Sequence, residues 1–269
     1  MKIVQITDTH IRAPGERIYG LDPSERLAAV IEDINRRQAD ADLAVITGDL
    51  TDIGDPKAYT ILKELLRELR IPYRLLLGNH DRRPAFRAVF PEHPTDTNGF
   101  VQSYLDAPGR VGRLLFLDSQ EDGRIGGYFC ARRLAWVADR LDEAADRPVA
   151  VFLHHPPLPL GVPHFAGICM ADPEPFLELL REHPGGVRQI VFGHVHIAVS
   201  GIYPGGLPFS GGRSCNHHIV LDFNRPDVDW AAGGPNYNVI ELGEETAFVH
   251  AFDLLHAEII GRGAPCPGP

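Results

Sequence analysis

The sequence predicts an α/β fold built on parallel strands, and two observations support this prediction. Short apolar runs rich in β-branched residues alternate with longer segments whose apolar residues recur every three or four positions, as in βαβ units. Five of the apolar runs also end in side chains of the types that bind metals. In an open α/β sheet these side chains would all lie at the carboxyl edge, where ligands bind. The runs are Lys2–Ile6, the run from Leu43 to Gly48-Asp49, Tyr73–Leu77, Val149–Leu153 and Gln189–Phe192.

The first part of the chain reads as strand, helix, strand, helix, strand. A polar loop after the first strand leads to Asp22-Pro23, which predicts an N-cap followed by the first helical residue. The pair Asp55-Pro56 predicts the same start for a second helix, after the strand that ends at Asp49. This order predicts parallel neighbours joined by right-handed crossovers. The apolar stripe of the first helix has helical spacing: Leu27, Val30, Ile31 and Ile34.

The middle of the chain is less regular. Weak periodicity and several prolines between Asp81 and Tyr104 predict a loop with at most one short helix, Pro84–Phe90. The alternation then resumes, and a third pair, Asp172-Pro173, predicts the start of the helix before the strand that ends at His194. The elements predicted in between are Arg113–Leu117, Ala131–Ala145 and Val149–Leu153.

The C-terminal third has a different residue pattern. Gly and Pro separate short runs in which apolar and polar residues alternate, and these runs predict antiparallel strands. We therefore expect a catalytic core over residues 1–200 and a segment over residues 201–269 that completes a second sheet. That segment would also carry a small cap or oligomerisation surface and a loose tail, Gly261–Pro269. The predicted strands are His218–Phe223, Asn238–Leu242 and Ala247–Leu254.

Composition restricts the class of protein. The formal net charge of -10 argues against a general nucleic-acid groove, since affinity for a phosphate backbone comes mainly from Lys and Arg. The N-terminus enters a strand without a secretion signal and no apolar run reaches membrane-spanning length, so we expect a cytoplasmic protein that is not in a membrane. Thirteen histidines, several of them clustered, indicate metal binding. The four cysteines are scattered and predict free or packing thiols: Cys130, Cys169, Cys215 and Cys266.

The residues that follow the strands form an ordered set. Any one of these motifs could be a turn, because Asp and Asn favour turns by bonding their own backbone. Together, each placed just after a predicted strand, they indicate a metal site. The motifs are Asp8-x-His10, Gly48-Asp49, Gly78-Asn79-His80-Asp81, His154 and Gly193-His194-x-His196.

A mixed set of imidazoles and carboxylates suits iron, manganese, zinc or cobalt better than calcium. Two such ions need an anionic bridge, and Asp49 is the candidate for it. Two ions held close together lower the pKa of a shared water, supply a hydroxide nucleophile and clamp the phosphoryl oxygens. His80 is placed to protonate the leaving alkoxide or to bind the phosphate.

Several neighbouring residues have open roles. Successive strand residues point to opposite faces, so one of His154 and His155 faces the metals and the other packs or orients a neighbour. Asp81 is expected to orient a histidine or a loop rather than to bind metal. Five further side chains are either substrate contacts or ordinary surface and core groups: Arg12, Arg82, Arg83, His217 and His218.

The ordered set, from Asp8 to His196, resembles the calcineurin-like metallophosphoesterase superfamily. Within it, the sequence is most similar to the glycerophosphodiesterases and the class III cyclic nucleotide phosphodiesterases. The resemblance implies a four-layer αββα sandwich with the site at the strand tips. It also implies a small C-terminal cap or oligomerisation segment and a homo-oligomer, either a dimer or a hexamer. The segments that carry it beyond the metal ligands are Ile6–His10, Pro14–Gly20 and His154–Gly161.

The resemblance also implies roles for individual residues. It selects His154 over His155 and gives Asn79 and His80 contacts with the substrate. Asp49 would belong to both metals. One metal would be held by Asp8, His10, Asp49 and His196, and the other by Asp49, Asn79, His154 and His194.

The leading hypothesis is therefore a binuclear metal-dependent phosphodiesterase. It would hydrolyse small phosphodiesters, either glycerophosphodiesters or cyclic nucleotides, by attack of a metal-bridged hydroxide. A phosphomonoesterase or protein phosphatase on the same site is the alternative enzyme. A binding scaffold without catalysis should lack a ligand or the His80 equivalent, and a nuclease should carry a basic strip along its cleft.

Overall fold

The computed structural model describes residues 1–254, so the predicted loose tail and Cys266 lie outside the described residues. In chain order the elements are β1 (Lys2–Ile6), α1 (Pro23–Arg37), β2 (Leu43–Thr47), α2 (Pro56–Leu66), β3 (Tyr73–Leu76), α3 (Arg83–Val89), β4 (Ser103–Asp106), β5 (Arg113–Phe116), α4 (Ala131–Ala144), β6 (Val149–Phe152), a short 3₁₀ helix (Pro163–Gly167), α5 (Glu174–Glu182), β7 (Val187–Phe192), β8 (Val199–Tyr203), β9 (Leu207–Gly211), β10 (His218–Val220), β11 (Asp229–Ala231), β12 (Asn236–Leu242) and β13 (Ala247–Asp253).

Two sheets form the centre of the described chain. The first has the order β13-β12-β1-β2-β3, in which β1, β2 and β3 are parallel and β12 runs antiparallel to β1. The second has the order β4-β5-β6-β7-β9-β8, with β5, β6, β7 and β9 parallel. The C-terminal third thus contributes strands to both sheets, and β10 and β11 pair separately as a two-stranded ribbon. The predicted antiparallel strands in this region are confirmed.

Three apolar clusters define the layers. One joins α1, α2 and α3 to the outer face of the first sheet, and another joins α4 and α5 to the second sheet. The third lies between the sheets, where Val45 of β2 and Phe116 and Phe152 of the second sheet are buried together. Helix, sheet, sheet and helix are therefore stacked in that order, as expected for an αββα sandwich.

The helix starts follow the predicted capping in two of three cases. Asp22 accepts hydrogen bonds from the N–H groups of Ser24 and Glu25 at 3.0 and 3.2 Å, and Asp55 accepts one from Lys57 at 2.9 Å. The prediction for Asp172 was wrong. Its φ is 50°, its side chain makes no capping bond, and α5 begins at Glu174. Within residues 1–254, no helix is long and apolar enough to cross a membrane.

Candidate metal centre

The carboxyl ends of strands from both sheets converge on one buried site. Residues after β1, β2 and β3 come from the first sheet, and residues after β6 and β7 come from the second. Backbone strain is concentrated in these turns, because several non-glycine residues adopt the left-handed conformation, which is costly for side chains with a Cβ. They are Asp8 (φ 53°), His10 (48°), Asp49 (46°), His194 (70°) and His196 (51°).

The first donor set consists of Asp8, His10, Asp49 and His196. One ligand atom of each lies within 4.8 Å of all the others, and all four residues are buried. The Nε2 atoms of His10 and His196 are 3.3 Å apart, and His196 Nε2 lies 3.3 Å from Asp8 Oδ1. Two imidazoles and two carboxylates that aim at one point form the donor set of a divalent transition metal.

The second predicted donor set is Asn79, His154 and His194, and the structure brings ring nitrogens of His154, His155 and His194 within 4.8 Å of one another. His154 Nε2 lies 3.3 Å from Asp49 Oδ2, and the rings of His154 and His194 have centroids 5.0 Å apart. A Cβ on Gly78 would come within 2.2 Å of Asp49 Oδ1 and 2.6 Å of His154 Nε2, so only glycine allows this close approach of the β3 loop.

Asp49 joins the two sets. Its Oδ2 lies 3.8 Å from His10 Nε2 in the first set and 3.3 Å from His154 Nε2 in the second. Its Oδ1 accepts a hydrogen bond from the N–H of His80 at 2.9 Å. One carboxylate oxygen thus faces histidines of both sets.

Each of the four histidines in the two predicted sets has one ring nitrogen engaged by an outer partner. His154 Nδ1 donates to the Thr47 carbonyl at 2.7 Å, and His194 Nε2 to the Ile168 carbonyl at 3.0 Å. The other two bonds run from His10 Nδ1 to Asp52 Oδ1 (3.2 Å) and from His196 Nδ1 to the His217 carbonyl (2.7 Å). Metal-binding histidines typically show this arrangement, which orients the ring and leaves the other nitrogen for the metal.

Two polar atoms in the second set have no hydrogen-bond partner. Asn79 Oδ1 and His154 Nε2 are both buried and unbonded, although His154 Nε2 is close to Asp49. Leaving a buried polar atom without a partner is costly, so native structures rarely do so without a functional reason. Both atoms are good ligands for a divalent cation, and the residues present therefore fit one.

The electrostatics of the site favour a neutral His194 and an ionised Asp49, which are the forms that bind metal, and a protonated His154, whose proton a metal would replace. Burial lowers the pKa of His194 to about 3, which keeps its imidazole neutral. Burial is the largest single influence and opposes ionisation of both Asp49 and His154, but their mutual attraction together with neighbouring charges and hydrogen bonds outweighs it, so the pKa of Asp49 is lowered and that of His154 is raised. The buried Asp49 carboxylate is thus stabilised as an anion by the positive charge of His154. A metal cation would stabilise it in the same way.

His154 and His155 point to different partners. His154 faces Asp49, whereas His155 Nδ1 is hydrogen-bonded to Ser119 Oγ at 2.8 Å. The ring of His155 also lies 4.8 Å from that of His194, and one of its ring nitrogens is within 4.8 Å of ligand atoms of His154 and His194. His154 stays the predicted ligand because it faces Asp49, whereas His155 is bonded to Ser119.

His80 lies at the edge of the site with its side chain 41% exposed. Its Nδ1 donates to the Asp52 carbonyl at 2.6 Å, and its ring centroid is 4.8 Å from that of His10. The bond fixes the tautomer and directs Nε2 away from Asp52. His80 is therefore the accessible acid–base group beside the donor sets.

Asp81 organises the loops, as the sequence predicted. Its carboxylate accepts hydrogen bonds from the N–H groups of Leu50, Thr51 and Gly78 at 2.9–3.1 Å and from Tyr59 Oη at 2.8 Å. It thereby fixes the loop that carries Asp49 to the loop that carries Asn79. Burial, followed by the nearby Asp49, raises the pKa of Asp81 to about 6.

Two of the arginines considered for phosphate binding are already paired with carboxylates. Arg12 pairs with Asp52, and Arg83 binds both carboxylate oxygens of Asp118 at 2.8 and 2.9 Å. Sequence reasoning missed Asp52, which supports both His10 and His80. The available signal was its position three residues after Asp49, in the same turn.

His217 is also brought to the site. Its ring centroid lies 4.5 Å from that of His196 and 5.0 Å from that of His10. Burial, followed by the charges of His196 and His10, lowers the pKa of His217 to about 2. No local pattern connects His217 with a strand tip, so its place depends on the tertiary structure.

Comparison with known proteins gives a consistent result. The family model of the calcineurin-like phosphoesterases matches residues 1–198. The chain is 39% identical over 260 residues to a probable cyclic nucleotide phosphodiesterase of Rhodopseudomonas palustris, covering 95% of this chain and 93% of that protein. It is 34% identical over 201 residues to a glycerophosphodiester phosphodiesterase of Enterobacter lignolyticus, covering 73% and 71%. Among solved structures, a dimetal phosphatase from Danio rerio shares the fold, with a TM-score of 0.70, 16% identity and coverage of 94% and 96%.

Proposed function

This chain belongs to the calcineurin-like phosphoesterase family of hydrolases, and we propose that it hydrolyses small phosphodiesters at a centre of two divalent metal ions. The names of its relatives support diesters as substrates, since one is a probable cyclic nucleotide phosphodiesterase and another a glycerophosphodiester phosphodiesterase. The observation that carries the proposal is Asp49, whose Oδ2 faces His10 on one side and His154 on the other. A shared carboxylate of this kind is what two adjacent cations require.

The two ions would be held by overlapping donor sets. Asp8, His10, Asp49 and His196 would bind one, and Asp49, Asn79, His154 and His194 the other. The mixture of nitrogen and oxygen ligands suits iron, manganese, zinc or cobalt. When bound, such a pair supplies a water nucleophile of lowered pKa and neutralises charge on the phosphoryl oxygens.

His80 would complete the reaction as the general acid. Its Nδ1 donates to the Asp52 carbonyl, so the ring is held and Nε2 can carry the proton that the leaving alkoxide needs. Asn79, next to it, would contact the substrate as well as a metal. The buried Asp81 keeps both residues in place by fixing their loop to the Asp49 loop.

We also propose a larger organisation for the protein. Residues 1–200 would form the catalytic core and residues 201–269 a segment that completes the fold, caps the site and assembles the chain as a homo-oligomer, either a dimer or a hexamer. Exposed apolar side chains at the end of β10 and in the loop that follows it, Val220, Leu221 and Phe223, support an interface there. Three free thiols in the described part of the chain support a reducing compartment such as the cytoplasm. Light scattering and cell fractionation test these two points.

Metal analysis and a substrate panel test the proposed function. Protein purified without chelator should hold about two transition-metal ions per chain and hydrolyse 3′,5′-cyclic AMP, 2′,3′-cyclic AMP or glycerophosphoethanolamine faster than the corresponding monoesters. Chelation should abolish the activity, and Mn²⁺ or Co²⁺ should restore it. Faster monoester hydrolysis would identify a phosphomonoesterase instead, and protein that binds no metal would contradict the proposal.

The role of His80 can be tested through the leaving group. His80→Gln should slow hydrolysis of glycerophosphoethanolamine or cyclic AMP by about 10²–10⁴-fold. It should slow hydrolysis of bis(p-nitrophenyl) phosphate much less, because p-nitrophenolate leaves without protonation. His250→Gln, in an exposed histidine on β13, is the matched control. Equal losses on both substrates would contradict the acid role.

A further inference from the structure

An exposed aromatic pair stands beside the first donor set. The rings of Tyr19 and Trp230 are stacked, with centroids 5.6 Å apart and planes inclined by 19°. Tyr19 is 63% exposed and Trp230 is 38% exposed. Trp230 in turn contacts His196 and His217 edge to face, at centroid distances of 5.3 and 4.7 Å. The pair, called here the aromatic platform, thus borders a histidine that we assign to the metal centre.

Tyr19 is held outward by a tight turn. The N–H of Ile18 donates to the Leu21 carbonyl and the N–H of Leu21 to that of Ile18, both at 2.9 Å, and the Arg17 side chain donates to the Gly20 carbonyl. Tyr19 itself has a φ of 51°, a conformation that is unfavourable for tyrosine and persists only where the surroundings impose it. An exposed aromatic residue in a strained turn indicates a function for its ring.

Trp230 is fixed from the opposite side. It lies on β11, opposite Ile219 of β10, and the N–H of Ile219 donates to the His196 carbonyl at 3.4 Å. The Arg26 guanidinium on α1 donates to the carbonyls of Ala232 and Gly233, both at 3.1 Å. The ribbon is therefore tied to the loop of a metal ligand and to the first helix, so the platform has a defined position relative to the metal centre.

We propose that the aromatic platform binds the nucleobase of a cyclic nucleotide. The substrate class of the site would then be the cyclic nucleotides. This inference rests on the proposed function. Bases stack on aromatic side chains irrespective of sequence, and Tyr19, which is stacked on Trp230 and largely exposed, offers a ring face for a planar group. A glycerol or ethanolamine moiety has no ring to stack. A choline group also binds aromatic rings, but such sites enclose the cation from several sides, whereas these two rings are stacked on each other.

Selectivity between diesters tests the platform. In Mn²⁺-loaded protein, Tyr19→Leu or Trp230→Leu should lower kcat/KM for 3′,5′-cyclic AMP relative to glycerophosphoethanolamine by about tenfold, mainly through KM. Tyr19→Phe and Trp230→Phe should restore most of the selectivity, because they keep a ring. Phe248→Leu, at an exposed aromatic residue on β13, is the control and should leave the ratio as in the wild type.

Two kinetic outcomes would overturn the proposal. Equal losses on cyclic AMP and glycerophosphoethanolamine would mean that the pair only supports the fold. A selective loss on glycerophosphocholine would mean that the platform binds choline and not a base.

A binding measurement separates this inference from the proposed function. In a Trp136→Phe background, the fluorescence of Trp230 should be quenched by AMP and not by glycerol 3-phosphate, and Tyr19→Leu should weaken AMP binding about tenfold. If the wild type cleaves no diester but AMP still quenches Trp230, the diesterase proposal fails and the platform stands. If AMP does not quench Trp230, the platform proposal is wrong even for an active diesterase.

Discussion

The two donor sets around Asp49 are supported in different ways. On the first side, His10 is oriented by the carboxylate of Asp52, and His196 by the backbone carbonyl of His217, whose ring also contacts that of His196. On the second side, His154 and His194 are oriented only by backbone carbonyls, those of Thr47 and Ile168. A side-chain carboxylate makes a histidine more basic and can be removed by mutation, whereas a backbone carbonyl cannot. The first site should therefore be tunable by side-chain substitution, and the second should depend on the loops.

The two sides also differ in how their ligand atoms are engaged. In the first set, His196 Nε2 lies 3.3 Å from both His10 Nε2 and Asp8 Oδ1. In the second set, Asn79 Oδ1 and His154 Nε2 are buried without a hydrogen bond. Buried ligand atoms that have no hydrogen bond carry the largest free-energy penalty when no cation binds them. Asp49, the proposed bridge, would therefore serve two unequal sites.

The largest effect is expected at the bridge. Asp49→Asn should remove about two ions per chain and lower kcat by at least about 10³-fold, because it takes away the negative charge shared by both sites. Metal analysis by mass spectrometry after desalting measures this. Retention of a full metal complement would show that the two sets are independent of Asp49.

Substitutions on either side should separate the sites. His196→Ala should release mainly the ion of the first set and His154→Ala mainly that of the second, each lowering kcat by about 10²–10³-fold. Each variant should therefore keep about one ion. Identical metal loss in the two variants would mean that the sites fill and empty as one, contrary to the difference described above.

A smaller effect is expected from the carboxylate behind His10. Asp52→Asn should weaken Mn²⁺ affinity at one site by about 10–100-fold and leave the other site close to that of the wild type. Titration of Mn²⁺ followed by electron paramagnetic resonance resolves the two affinities. Asp40→Asn, at a surface carboxylate paired with Lys2, is the control. Weakening of both sites by Asp52→Asn would contradict the assigned asymmetry.

The smallest effect concerns the strand that leads to Asn79. His93 Nε2 accepts a hydrogen bond from the N–H of Leu75 in β3 at 2.9 Å, and burial, followed by the charge of Arg74, lowers the pKa of His93 to about 4. Between the unfolded value of about 6.5 and about 4 the unfolded chain binds more protons, so the free energy of unfolding should fall as the pH falls through that range.

That loss should amount to at most about 3 kcal/mol, and His93→Gln should reduce it, because glutamine does not titrate. Urea unfolding of the metal-free wild type and variant at several pH values measures the difference. An identical pH dependence in both proteins would show that His93 does not contribute to it.

Local sequence patterns predicted some elements well and failed at others for identifiable reasons. Asp22 and Asp55 cap helices as predicted, because an N-cap needs only the next few residues. Asp172 has the same Asp-Pro signature but does not cap a helix. The neighbouring Ala171 donates its N–H to the Gly127 carbonyl, a contact across the fold, and Asp172 takes a left-handed conformation beside it. Tertiary contacts override a weak local preference of this kind.

The sequence by itself determined the alternation of strands and helices as far as β7, except for β4, and placed metal-ligand residue types at the strand ends, because periodicity and turn chemistry are local. It also determined which residues resemble a known family, including Asp49, the predicted shared ligand. Only the tertiary structure decided that β12 pairs with β1. Only the tertiary structure brought Asp52 behind His10 and stacked Trp230 on Tyr19. These contacts join residues far apart in the chain, and no local pattern specifies which distant partner a side chain meets when the sheets close on each other.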